Sequence, residues 1–286
     1  MILIILIIKK TKPSEKNKIK INIRQKEGNL VDSTKYLLNQ KDILKTSYYP
    51  IFRNKNIHII REKLDNIKCR LGDVSEIFRG LALSSNNKIL SKENKGNQTV
   101  VYRGDSIKKF GIKYPLFIET IDSIRDVNKL RRLLVKKIIL QNLCSKEGGI
   151  TATLSQKNEL NIDTVTNLVP KNESDILYIL ALLNSKLSTF YLLHIIFLSS
   201  NFSMHTDKQY IGLIPFIKPN KNDLKKIELT TNKLLSLNGL RSEEYFKLYS
   251  KINEIIYNVY GLNNEEINII EVCLSETLSK KQYYGE

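Results

Sequence analysis

Residues 136–219 constrain the fold more than any other part of the chain, because a β-patterned segment, a polar loop, a second strand and a long apolar helix follow one another there without a linker. Residues 138–140, Ile-Ile-Leu, predict a short strand fed by Lys136 and Lys137 and followed by Gln141, Asn142 and Lys146, leading to an exposed turn at Gly148-Gly149. Residues 150–153 and 164–168 supply β-branched side chains suited to a pleated surface, and Pro170 ends the second run. A helix follows. Asn172 or Ser174 can cap it, Glu173 and Asp175 fall in a first turn whose dipole favours acid, and Ile176, Ile179, Leu180 and Leu183 start its buried face. The apolar run 176–198 is interrupted by Asn184-Ser185-Lys186 and by His194, which predicts a core helix with a break at those polar residues.

Within 286 residues there is room for two modest domains with real cores. The net charge of +17 is uneven. Residues 1–60 carry 13 Lys and Arg against 4 Asp and Glu, residues 86–146 carry 14 against 5, and residues 147–286 carry 14 against 16. A positive field confined to the first half attracts polyanions, so nucleic acid is the leading partner, an anionic membrane surface the second, and a codon bias toward Lys and Asn the plain alternative. Cys69, Cys144 and Cys273 are odd in number and far apart, which argues against disulfides or a zinc knuckle and fits a reducing, cytoplasmic setting. Residues 1–8 are apolar but too short to span a bilayer, and the lysines follow them, so neither a transmembrane helix nor a signal peptide is expected.

In chain order, residues 2–8 and 19–23 predict two strands joined by a basic turn containing Pro13. Residues 25–64 predict a connector with short helical pieces whose aromatics pin it to its neighbour. At Leu71 a capped turn, the pair Val74 and Ile77, and Arg79-Gly80 open a new unit, followed by an exposed loop over 84–96 and a strand over 99–102. Arg103-Gly104-Asp105 then forms a turn before Lys108 and Lys109. Arg103 suits bidentate contact with a guanine edge or a phosphate, and the bland alternative is an Arg103–Asp105 ion pair that merely holds the turn. After Pro219, helical stripes run through Leu224, Ile227, Thr231 and Leu234, then through Tyr245, Leu248 or Tyr249, Ile252, Ile255 or Ile256, and Val259 to Gly261. A third helix is capped around residues 263–266 and carries Ile267, Ile270 and Leu274.

These residues carry a resemblance. KIILQNL (137–143), NLVPKNESDILYILALLNSKLSTFYL (167–192) and IPFIKP (214–219), with LGDVSEIFRGL (71–81) and VYRGDSIKKFG (101–111) upstream, resemble the target recognition domain of two groups. One is the TaqI-like C-terminal specificity domain of adenine-N6 DNA methyltransferases and type IIG restriction-modification enzymes. The other is the specificity subunits of type I restriction-modification systems. Residues 252–271 resemble the closing helical segment of the methyltransferases, and residues 1–25 the last hairpin of their catalytic sheet.

The resemblance implies an α+β fold: a hairpin over 1–25, a connector over 26–70, a β-rich target recognition domain with packed helices over 71–219 and a helical segment over 220–286. It makes double-stranded DNA the partner, with Arg79, Tyr102, Arg103, Lys108, Lys109, Lys136, Gln141, Asn142 and Lys146 as candidate DNA contacts. A separately encoded methyltransferase subunit is a further candidate partner. The sequence lacks the glycine-rich turn for S-adenosylmethionine and the Asn/Asp-Pro-Pro-Tyr-type motif that holds a flipped adenine. Glu93-Asn94-Lys95 lacks the Pro-Asp partner of a nuclease site, and Ser203, His205 and Asp207 read as a polar loop rather than a catalytic trio. No cofactor, metal, membrane or catalysis of its own is therefore expected. The readings left open are a recognition module that aims a methyltransferase, the remnant of such an enzyme, and a non-specific nucleic-acid binder.

Overall fold

The structure, a computed structural model, describes residues 16–27, 30–40, 56–84, 87–96, 98–119, 124, 126–199 and 204–278. At its centre lies a four-stranded antiparallel sheet formed by β3 (Ser75–Arg79), β9 (Lys137–Gln141), β11 (Ala152–Ser155) and β13 (Val165–Pro170), in the order β11-β9-β13-β3. Because side chains alternate along β9, Ile138 and Leu140 join the helices in the main core while Ile139 meets Tyr102, Ile107 and Val165 on the other face. This explains why residues 138–140 are all apolar: the strand is covered on both sides.

A second sheet, ordered β12-β5-β8-β4, combines β4 (Leu90–Ser91), β5 (Thr99–Tyr102), β8 (Leu116–Ile118) and β12 (Leu160–Asn161). Its own core, with Val101, Leu116, Ile118 and Leu160, is closed by Leu133 of the short helix α3 (Val127–Leu133). Two contacts weld it to the central sheet. Asn161 and Asn167 exchange amide hydrogen bonds of 2.7 and 2.9 Å, and the fully buried Lys137 ammonium donates to Leu133 O at 2.5 Å and Glu159 O at 2.8 Å. Burial lowers the Lys137 pKa to about 8, against the pull of the Glu159 carboxylate.

The strands predicted from residues 138–140, 150–153 and 164–168 all form, and the helix over residues 176–183 forms as α4 (Ile176–Asn184), preceded by a 3-10 turn that Asn172 caps. The break falls where the polar residues predict it. Ser185 is extended (φ −66°, ψ 157°), its hydroxyl caps α5 (Lys186–Phe190), and the two helical halves bend by 57°. The break frees Asn184 O to accept from Tyr249 Oη at 2.8 Å and Lys109 Nζ at 3.3 Å, while the Asn184 amide pairs with both backbone groups of Ala152 at the sheet edge. A short π-helical stretch, Tyr191–Ile196, follows and contains His194. Among the described residues no single helix is long and apolar enough to cross a membrane, and the bent pair of that composition is buried in the core.

The helices α7 (Lys221–Ser236), α8 (Glu243–Val259) and α9 (Asn264–Ser275) follow the predicted stripes, with Ile227, Thr231, Leu234, Tyr245, Ile252, Ile256, Ile270 and Leu274 buried. Gly261 takes a left-handed φ of +61° after α8, and Asn263 with Glu266 forms a capping box. These helices share one apolar core with α1 (Ile57–Asp65), the central sheet and α4.

Two expectations are corrected. The expected connector is not free of strand: β1 (Lys18–Glu27), which contains the predicted residues 19–23, pairs with β2 (Leu30–Asn39), while the predicted strand over 2–8 lies outside the described residues. Gly149 is buried rather than exposed. It has φ +63°, and a Cβ there would stand 2.8 Å from the Thr189 methyl, so the turn is folded onto α5.

Candidate nucleic-acid interface

At the end of β3, Arg79 leaves the central sheet with its side chain 43% exposed. Its Nε donates to Asp207 Oδ1 at 2.9 Å, and its second guanidinium nitrogen bonds the Asn142 side-chain oxygen and lies 3.2 Å from His205 Nδ1. Asn142 is buried between β9 and β10 (Leu143–Cys144), and its amide nitrogen donates to both Asp207 Oδ1 and Thr166 Oγ1 at 2.9 Å. His205 Nδ1 lies 3.0 Å from Asn142 Oδ1.

Local folding explains why these four meet. β14 (Met204–His205) pairs with β10 and sets His205 opposite Leu143. Thr206 extends the pairing through its N–H to Asn142 O at 2.8 Å and its hydroxyl to Gln141 O at 2.7 Å. Asp207 precedes the one-turn helix α6 (Lys208–Ile211) but its carboxylate does not cap it; it turns to Arg79 and Asn142 instead. The backbone of α2 (Leu71–Val74) is tied to the residues after α6 by Gly72 N to Gly212 O and Leu71 N to Ile214 O, which holds β3 beside α6. The result is an exposed guanidinium braced by charge-assisted hydrogen bonds, a form suited to bidentate recognition.

A second Arg-Gly step lies against the same turn. A Cβ on Gly80 would stand 2.1 Å from Ile162 O, and one on Gly104 would stand 2.9 Å from Thr164 O. Only glycine allows both approaches. Asn142 N donates to Thr164 O at 3.0 Å, and Gly104 N donates to Thr164 Oγ1, so residues 162–164 bring the Arg79 cluster and the Arg103 turn together. Arg103 pairs with Asp105 at 2.5 Å with its side chain 28% exposed, so the ion pair foreseen as the bland alternative does form.

The remaining candidates divide by exposure. Lys108, Lys136 and Lys146 are half-buried at the surface, and the Gln141 amide donates to Ile107 O. Tyr102 is buried, and burial together with the nearby Glu159 carboxylate raises its pKa. Lys109 points inward: its ammonium donates to Tyr249 Oη and Asn184 O and lies 5.3 Å from the Tyr249 ring centre. Burial first, then the charges of Arg241 and Lys186, lowers its pKa to about 7, while Cys144 works the other way. As built, Lys109 holds the β6 (Ile107–Lys108) and β7 (Gly111–Ile112) hairpin to the helix break and offers nothing to a phosphate. Of the other basic residues in this part of the chain, Arg132 pairs with Glu76 and stacks 4.0 Å over the Phe78 ring, whereas Lys88, Lys92 and Lys113 are exposed.

His205 and Asp207 are the residues that sequence reasoning set aside. Their partners come from Arg79 and Asn142, distant in sequence, and Ser203 lies outside the described residues. No local pattern marks such a grouping.

Residues 99–216 match the TaqI-like C-terminal specificity domain. The fold resembles that of the type IIL restriction-modification enzyme MmeI, solved in complex with DNA, with a TM-score of 0.54 and 14% identity over 90% of this chain and 41% of that one. It also resembles the type IIG restriction endonuclease BpuSI, with a TM-score of 0.51 and 11% identity over 86% of this chain and 36% of that one. The chain thus spans about two-fifths of the length of these structures. A looser alignment, with a TM-score of 0.33 and 14% identity over 71% of this chain and 50% of that one, is to the HsdS subunit from Thermoanaerobacter tengcongensis. No curated protein matches the chain by sequence.

Proposed function

We propose that the chain reads a double-stranded DNA sequence for a restriction-modification system and aims an adenine-N6 DNA methyltransferase, or a combined restriction and methylation assembly, at that sequence. The catalytic unit it serves is separate from residues 71–219, on a partner subunit or on another part of the same assembly. The observation that carries this reading is the Arg79 guanidinium, exposed at the end of the strand that pairs with β13 of the segment matching a TaqI-like specificity domain, and held in one orientation by Asp207 and Asn142. A fixed fork of N–H donors matches the O6 and N7 acceptors of guanine in the major groove. The excess of Lys and Arg over residues 86–146 supplies the sequence-independent attraction to phosphates, while Arg79 and Arg103 supply the reading.

The test is selection of bound duplexes from a random pool, followed by titration of affinity against salt for the enriched duplex and for random DNA. A defined enriched sequence, with a specific affinity well above the non-specific one, supports the reading. Equal affinity for all duplexes leaves only a non-specific binder. Incubation of the chain with duplex and labelled S-adenosylmethionine is expected to give no methyl incorporation, and incorporation would overturn the assignment of catalysis to another unit.

A further inference from the structure

Tyr114 is unlike every other aromatic residue described. Among the described residues it is the most exposed large apolar one, at 75%, and its backbone has φ +52°. A left-handed conformation is uncommon for a bulky residue, and Pro115, which follows, restricts Tyr114 further. With the residue 75% exposed, burial offsets little of this strain.

The conformation is nevertheless built in. Ser106, fully buried, donates its hydroxyl to Tyr114 O at 3.1 Å and accepts Arg103 N–H at 3.4 Å, and its carbonyl accepts Lys113 N–H at 2.8 Å. One buried serine therefore sets both Arg103 and the Lys113-Tyr114 corner, and Tyr114 is fixed to the turn that presents Arg103. Its neighbours are polar: Lys113 and Asp105 are exposed and Lys108 lies on the adjoining hairpin. A lone exposed ring beside the charged residues Lys113 and Asp105 does not form an apolar patch for a protein partner or a lipid surface. It suits a ligand whose charged backbone alternates with flat apolar faces, that is, nucleic acid.

We propose that Tyr114 is a DNA-contacting residue whose ring wedges against a base step beside the pair contacted by Arg103, partly unstacking it. This rests on the reading of the chain as a DNA recognition module. The ring adds affinity through stacking rather than charge, and the strained corner holds it outward before DNA arrives, so little ordering is needed on binding.

The experiment uses the full chain and the duplex recovered by selection, with 2-aminopurine placed at successive positions. The native chain is expected to raise the fluorescence of 2-aminopurine at one step. Tyr114→Phe keeps that rise. Tyr114→Gly is expected to abolish it and weaken binding about tenfold to a hundredfold at every salt concentration, leaving the salt slope unchanged. Because glycine tolerates the left-handed backbone, Tyr114→Gly should melt at the same temperature as the native chain or higher. Unchanged affinity and fluorescence in Tyr114→Gly, no fluorescence rise with the native chain, or a melting temperature lowered by Tyr114→Gly would each overturn the proposal. These results leave the DNA-recognition reading standing, whereas failure of the native chain to prefer any duplex would remove that reading and this one together.

Discussion

Arg79 Nε lies 2.9 Å from Asp207 Oδ1, and the same carboxylate oxygen accepts a hydrogen bond from Asn142 at 2.9 Å. The aspartate that could have capped α6 is used to aim an arginine from a strand more than a hundred residues earlier. Orientation matters more than charge here, since a guanidinium reads a guanine edge only when both donors face it.

Arg79→Ala is accordingly expected to relax preference at one base pair of the selected duplex, with a cost of about 1–3 kcal/mol against that pair. Arg79→Lys should not restore it, because an ammonium lacks the planar fork. Asp207→Asn should reduce discrimination at the same position while the chain stays folded. Competition binding with single-pair variants of the duplex checks all three, and a uniform loss across variants would reduce Arg79 to a phosphate contact.

Lys108 and Lys109 are neighbours with opposite placements, so their alanine variants should separate. Lys108→Ala is expected to lower the slope of log affinity against log salt by about 1 for every duplex. Lys109→Ala should leave the slope unchanged and destabilise the fold by about 1–3 kcal/mol, because its hydrogen bonds to Tyr249 and Asn184 are internal. Salt titrations and denaturant midpoints give the two readings.

Burial of Lys109 also predicts a pH dependence. Its pKa falls from 10.5 to about 7 on folding, so between these values the unfolded chain binds a proton that the folded chain does not. Stability therefore rises with pH across this window, by up to about 1.4 kcal/mol per pH unit from this group, and the gain is lost as pH falls toward 7. Lys137, lowered to about 8, adds a term of the same sign above that pH. Above about pH 9 the buried Cys144 thiol, raised to about 12, works against both. Lys109→Met should flatten the slope between pH 7 and 9, measured as denaturant stability against pH relative to the native chain; an unaltered slope would contradict the assignment.

Gly80→Ala should be the most damaging single-methyl addition near the interface. Its Cβ would meet Ile162 O at 2.1 Å, a backbone atom that cannot step aside, with an expected cost of about 1–3 kcal/mol. Gly104→Ala, at 2.9 Å from Thr164 O, should cost less. Thermal melts rank the two, and the milder variant allows the effect of displacing Arg103 on binding to be measured in a folded chain.

Much of the architecture was legible in residue order, because its causes are local. A short apolar run marked β9, β-branching marked β11 and β13, and the Asn184-Ser185-Lys186 interruption marked the helix break. The stripes and caps of α7–α9 and the motif order that resembles a TaqI-like specificity domain were equally local. What tertiary structure alone decided was which partner each element and side chain found. Residues 19–23 pair with β2, a partner that lies within the stretch read from sequence as a connector. Lys108 and Lys109 are chemically alike, but the Gly111 backbone packs against Asn238, and Lys109 alone reaches inward to the Asn184 carbonyl at the helix break. His205, Asp207, Asn142 and Arg79 gather only once β10 pairs with β14 and α2 docks beside α6. Periodicity and capping act within a few residues, whereas a polar cluster depends on how separate strands meet, which sequence spacing does not encode.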